Sequence, residues 1–97
     1  MTKKGYWVVC YKSLSNAAVV SEYVKLAATA LERLEGRLIV AAKPAKTHEA
    51  GVDQSVVVVE FENLEKAVAV HESDLYKPAL KVFDDAAHRD FRVMEGR

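Results

Sequence analysis

The first cluster of apolar residues is Tyr6-Trp7-Val8-Val9-Cys10-Tyr11, where both alternating sides of an extended chain are aromatic or aliphatic. Such a run predicts a strand covered on two faces. Beyond it Ser13, Ser15 and Asn16 offer N-cap side chains, and Val20, Tyr23, Val24, Ala27, Ala30, Leu31 and Leu34 recur at three- and four-residue spacing. That period predicts an amphipathic helix, with Gly36 supplying the left-handed residue that ends it. Arg37-Leu38-Ile39-Val40-Ala41-Ala42 reads as a second strand, stopped by Lys43-Pro44, and the mixed polar residues 43–54 as an exposed connection. Gln54 to Glu62 is a third strand, whose four consecutive valines call for cover on both faces.

Asn63 caps a helix with Leu64, Ala67, Val68 and His71 on its apolar face, and Ser73-Asp74 separates it from a second helical segment beginning at Leu75. In that segment Tyr76, Ala79, Leu80, Phe83 and Ala87 share a face, and Pro78 falls in the first turn, where it is tolerated. Asp90 to Glu95 alternates as a fourth strand. The order β-α-β-β-α-β predicts an α+β, ferredoxin-like fold: a four-stranded antiparallel sheet with the helices on one face. Alternation along the third strand sends Val57, Val59 and Phe61 to one side and Val56, Val58, Glu60 and Glu62 to the other, so both sides are too apolar for water. A homodimer that packs two such sheets face to face is the expected cover.

The chain of 97 residues is long enough for one core, so 1–97 is read as a single domain. Fourteen Lys and Arg balance fourteen Asp and Glu, which removes the charge imbalance that nucleic acids and anionic membranes attract. Neither partner is expected. Cys10 is the only cysteine, so no intrachain disulfide can form, and on a central strand it reads as a packing thiol. The first apolar run is too short for a signal-peptide core or a membrane span, and a cytoplasmic location is the expectation. His48-Glu49 and His71-Glu72 are adjacent pairs that point apart, and Asp84 with His88 makes only a weak i,i+4 pair, so no metal is assigned. With no Gly-rich phosphate loop or nucleophile elbow, no cofactor is assigned either.

Several segments in order resemble the family called domain of unknown function 1330. They are Lys4-Gly5-Tyr6-Trp7-Val8, Tyr23, Glu35-Gly36-Arg37-Leu38, Glu49-Ala50-Gly51, Val57-Val58-Val59-Glu60-Phe61, Ala67, Ser73 with Tyr76, and Val93-Met94-Glu95-Gly96. The resemblance runs nearly end to end and implies a short, dimeric α/β barrel of ferredoxin-like fold. Related dimeric α/β barrels include cofactor-free monooxygenases, lactone isomerases and haem enzymes, an analogy that points to small-molecule chemistry. The chain departs from the family pattern at His71, where a large aromatic is usual, at Asp74-Leu75 in place of Pro-Glu, and at Gln54-Ser55, where an arginine usually precedes the valines.

Two residues are candidates for moving a proton. His71 shares the apolar stripe of its helix and so points at the sheet, as a general acid or base or as a packing piece replacing an aromatic. Glu60 stands in line with Val56 and Val58, either as a carboxylate of raised pKa or as one half of an ion pair with Arg92 or Arg37. Trp7, Tyr23 and Tyr76 are candidates to line a ligand pocket, with Tyr11 on the same side of the first strand as Trp7, and each could equally fill the core. Arg92 shares its strand face with Asp90 and Met94 and is a further ligand-binding candidate. Two functions follow: a cofactor-independent enzyme or binder for a small apolar carbonyl or phenolic ligand held between sheet and helices, or a noncatalytic structural or regulatory homodimer module.

Overall fold

Among the described residues, 3–97 of a computed structural model, the element order is β1 (Gly5–Leu14), α1 (Ala17–Arg33), β2 (Arg37–Ala42), β3 (Val56–Phe61), α2 (Leu64–His71), α3 (Lys77–Phe83) and β4 (Ala87–Glu95). The strands form one antiparallel sheet in the order β2-β3-β1-β4. This is the α+β, ferredoxin-like arrangement that the element order predicts, with α2 and α3 together as the second helical unit.

Strand parity decides which residues meet the helices. Trp7, Val9 and Tyr11 of β1 and Val59 and Phe61 of β3 are buried beneath them with Tyr23, Ala67, Tyr76 and Phe83. The alternate positions make the other face, where Tyr6 of β1 stands between Glu60 of β3 and Met94 of β4, Val8 between Val58 and Arg92, and Cys10 between Val56 and Asp90. Trp7 fixes the layers to each other: its indole Nε1 donates to the Ala67 carbonyl at 2.7 Å, tying β1 to α2. Gly5 lets the two approach closely, since a methyl there would collide with the Asn63 carbonyl.

Asn16 and Asn63 cap α1 and α2, their side chains accepting from the Val19 and Lys66 amides. The far end of α1 differs from expectation. The left-handed residue is Glu35, at φ 62°, and not Gly36. Gly36 donates its amide to Leu31 and Glu35 donates to Glu32, the paired bonds of a Schellman turn. Gly36 stands one residue further on, where any side chain would press on Phe61, Leu31 and Val59.

Other features differ from expectation as well. β1 runs on to Leu14 and β4 begins at Ala87, because the two strands stay paired across a register shift between Tyr11 and Ser13. Ala87 therefore belongs to a strand, and Asp84 and His88 do not share a helix face. The buried residues of α2 are Ala67 and Val70, while Val68 is 43% exposed.

Candidate functional site

Helix α1 turns small side chains toward the sheet. Ala27 and Ala30 are buried on its inner side, and Gly36 and Ala41 add little bulk opposite. The helix packs chiefly on α3. Space therefore remains between α1 and the sheet, a cavity of about 260 Å³ walled by Trp7, Val9, Val57, Val59 and Phe91 below and by Tyr23, Val24, Ala27, Ala28 and Leu31 above. That is just below the usual range for small-molecule sites, roughly 300 to 1,000 Å³, and fits a ligand of about one ring.

Tyr11, Tyr23, Tyr76 and Arg89 bring polar groups to this apolar space. Arg89 Nη1 donates to the Tyr23 hydroxyl at 3.0 Å, and the Tyr23 and Tyr76 hydroxyls are hydrogen-bonded to each other. The guanidinium carbon lies 4.1 Å from the centre of the Phe83 ring, 4.9 Å from that of Tyr23 and 5.0 Å from that of Phe91. Ring faces attract a cation at such distances. Burial by itself would lower the Arg89 pKa, but the surrounding Tyr23, Tyr76 and Tyr11 oxygens outweigh it and hold it above the ordinary value. Burial also pushes the Tyr76 hydroxyl far up, with Tyr23 adding to the rise and Arg89 opposing it. Burial raises Tyr11 as well, against the pull of Arg89. Near neutral pH the cluster thus holds a fixed cation beside the neutral phenols of Tyr76 and Tyr11.

His71 lies beside the cavity and not on its lining. Its ring centre is 4.9 Å from that of Phe91, 5.5 Å from Tyr76 and 5.8 Å from Trp7, so it backs the aromatic wall. Burial lowers its pKa, the Arg89 charge lowers it further, and Glu72 opposes both.

Trp7, Tyr23 and Tyr76 are brought together, as their positions on β1, α1 and the start of α3 require. Glu60 and Arg92 are not. Both stand on the sheet face turned away from the cavity, since each pairs in register with β1 residues of the opposite parity to Trp7. Glu60 accepts from the Tyr6 hydroxyl at 2.9 Å, in place of the expected partners Arg37 or Arg92. This bond, then burial and the Glu60 charge, raise the Tyr6 pKa. Arg92 forms a two-pronged pair with Asp90 at 2.9 and 3.1 Å, which holds the Asp90 carboxyl below the usual range. Arg89 lies just outside the stretch from Asp90 to Glu95 that alternation marks as the fourth strand. Alternation carried back two residues from Phe91 would have placed Arg89 on the inner face.

A family model described as "Domain of unknown function (DUF1330)" matches residues 4–97. No curated protein matches the sequence. Among solved structures, a protein of unknown function from Rhodopseudomonas palustris is similar with a TM-score of 0.78 at 13% identity, over 100% of this chain and 85% of that one. The cofactor-independent oxygenase SnoaB from Streptomyces nogalater has a TM-score of 0.68 at 11% identity, over 99% and 95% of the two chains. A dimeric protein of unknown function and ferredoxin-like fold from Bacteroides fragilis has a TM-score of 0.64 at 11% identity, over 96% of each. At such identities the likeness is one of fold.

Proposed function

The chain belongs to the domain of unknown function 1330 family, and from that premise we propose that it is a single-domain homodimer whose protomers each bind a small apolar carbonyl or phenolic molecule between α1 and the sheet. One observation carries this reading: an apolar cavity of about 260 Å³ coincides with one cluster of hydrogen-bonding groups, Arg89, Tyr23 and Tyr76. Apolar walls supply affinity, and a few converging polar groups fix orientation. Trp7 walls the site, and Tyr23, Tyr76 and Arg89 bond the ligand oxygen. A cation and phenols aimed at a carbonyl oxygen stabilise negative charge that develops there, which suits isomerisation or oxygenation without a cofactor. SnoaB, of the same fold, is a cofactor-independent oxygenase. His71 acts here only through the rings of Trp7, Tyr76 and Phe91.

The dimer uses the opposite sheet face. Val8, Val58, Val56 and Cys10 are its centre, with the Tyr6–Glu60 bond and the Arg92–Asp90 pair as polar elements that set register. Dimeric relatives of the same fold support this assembly. Among the described residues no helix is long and apolar enough to cross a membrane, and we place the protein in the cytoplasm.

The cavity is tested with p-cresol and acetophenone as probes. The protein has a single tryptophan, so the Trp7 indole N–H gives one NMR signal on the cavity wall. Saturable shifts of that signal are expected with either probe and are expected to vanish in Ala28→Phe, which fills the mouth from an exposed helix position. A Trp7 signal indifferent to both probes would leave the noncatalytic module as the better account.

A further inference from the structure

Arg89 is a half-buried cation without a counterion among the described residues. The three ion pairs there join Lys66 to Glu35, Lys77 to Asp74 and Arg92 to Asp90. The one hydrogen bond that Arg89 makes with a side chain goes to a hydroxyl, that of Tyr23. Its other N–H groups are available, since a guanidinium carries a fork of donors and no acceptor. Glu32 is the single carboxylate on the cavity lining, and it is exposed. It stands nine residues beyond Tyr23 on α1, about 13 Å along the axis. Even partial removal of a charge from water costs free energy unless it is paired, and the ring faces of Phe83 and Tyr23 offset only part of that cost.

The hydroxyl protons point the same way. Tyr23 and Tyr76 carry one each, and the bond between them uses one. Tyr23 also accepts from Arg89, so whichever phenol donates within the pair, the other O–H is left to donate outward. A guanidinium fork beside an uncommitted O–H is richer in donors than in acceptors. Its complement is a group that has acceptor oxygens and a negative charge, and a carboxylate matches the planar fork.

Resting on the cavity reading above and deepening it, we infer that the ligand is a small aromatic or branched carboxylate, with Arg89 on its two oxygens, a tyrosine hydroxyl completing the contact and the apolar body against Trp7 and Val59. Phenylacetate and its neutral isostere phenylacetamide separate this from the broader reading, with p-cresol as the control for the cavity itself. By calorimetry and the Trp7 indole signal, the wild-type homodimer is expected to bind phenylacetate about tenfold or more tighter than phenylacetamide, as a hydrogen bond to a charged group allows. In Arg89→Gln that preference is expected to disappear, with weakened but saturable p-cresol shifts of the Trp7 signal showing that the cavity itself is still open. Equal binding of acid and amide by the wild-type protein overturns the inference and leaves the cavity reading standing, and this comparison needs no variant to fold. A preference that survives Arg89→Gln overturns it too. If p-cresol, phenylacetate and phenylacetamide all leave Trp7 unmoved, both readings fall.

Discussion

A histidine packed against Trp7, Tyr76 and Phe91 with a fixed guanidinium nearby is held best when neutral. Burial and Arg89 lower the His71 pKa below 6.5, and Glu72 only partly restores it. The folded state then binds the proton less readily than the unfolded state. Its His71-dependent stability is complete above the unfolded value, near 6.5, and is lost as pH falls toward the lower folded value. Thermal unfolding of the wild type and His71→Phe from pH 8 to 5 measures this. The gap between the two is expected to stay constant above about pH 7 and to move against the wild type below it, following the ordinary histidine pKa. A gap that does not change with pH would mean that His71 titrates normally. Referencing to the variant cancels His48 and His88, which are exposed.

At the scale of the element, the end of α1 carries a strain that its sequence does not advertise. Glu35 occupies the left-handed position with φ 62°, where a residue with a Cβ is disfavoured, while the glycine beside it is kept for the space it leaves to Phe61 and Val59. The ion pair from Glu35 to Lys66, at 3.2 Å, has a carboxylate 77% exposed and so contributes little. Glu35→Gly is therefore expected to raise stability by about 0.5 to 1 kcal/mol in urea unfolding, a gain reduced by the looser unfolded chain. A loss of stability would show that the ion pair outweighs the backbone relief. β4 teaches the converse lesson. His88 and Arg89 look like the tail of a polar helix end, yet pairing with Ser13 and Tyr11 of β1 draws them into the sheet. Cross-strand hydrogen bonds overrode the local pattern.

For the whole molecule, the sheet has one face under helices and one face of half-buried valines. At about 1.5 to 3 kcal/mol for each apolar side chain fully removed from water, a few such residues decide association. Val58 is paired with Val8 between the two central strands. If the proposed homodimer packs on this face, Val58→Glu sets an unpaired carboxylate in the middle of its interface and is expected to give monomer where the wild type gives dimer in sedimentation at micromolar concentration. A variant that remains dimeric would place the interface elsewhere, on the exposed edge strand β2 or on α1.

The sequence by itself determined the order of elements, the ferredoxin-like topology and the parity of the central strands, because hydrophobic alternation and helical spacing are local properties of the chain. Trp7, Tyr23 and Tyr76 were recognisable as inward-facing for the same reason. Tertiary structure alone decided what these residues do together. Whether alanines at 27, 30 and 41 close up or leave a cavity depends on how far α1 stands from the sheet, and its packing on α3 holds it away. Glu60 and Arg92 fell outside the site because polar residues on a covered strand carry no local mark of which cover they meet. Arg89 entered it because sheet pairing, a contact between distant segments, extended β4 by three residues beyond the point where its alternation becomes visible.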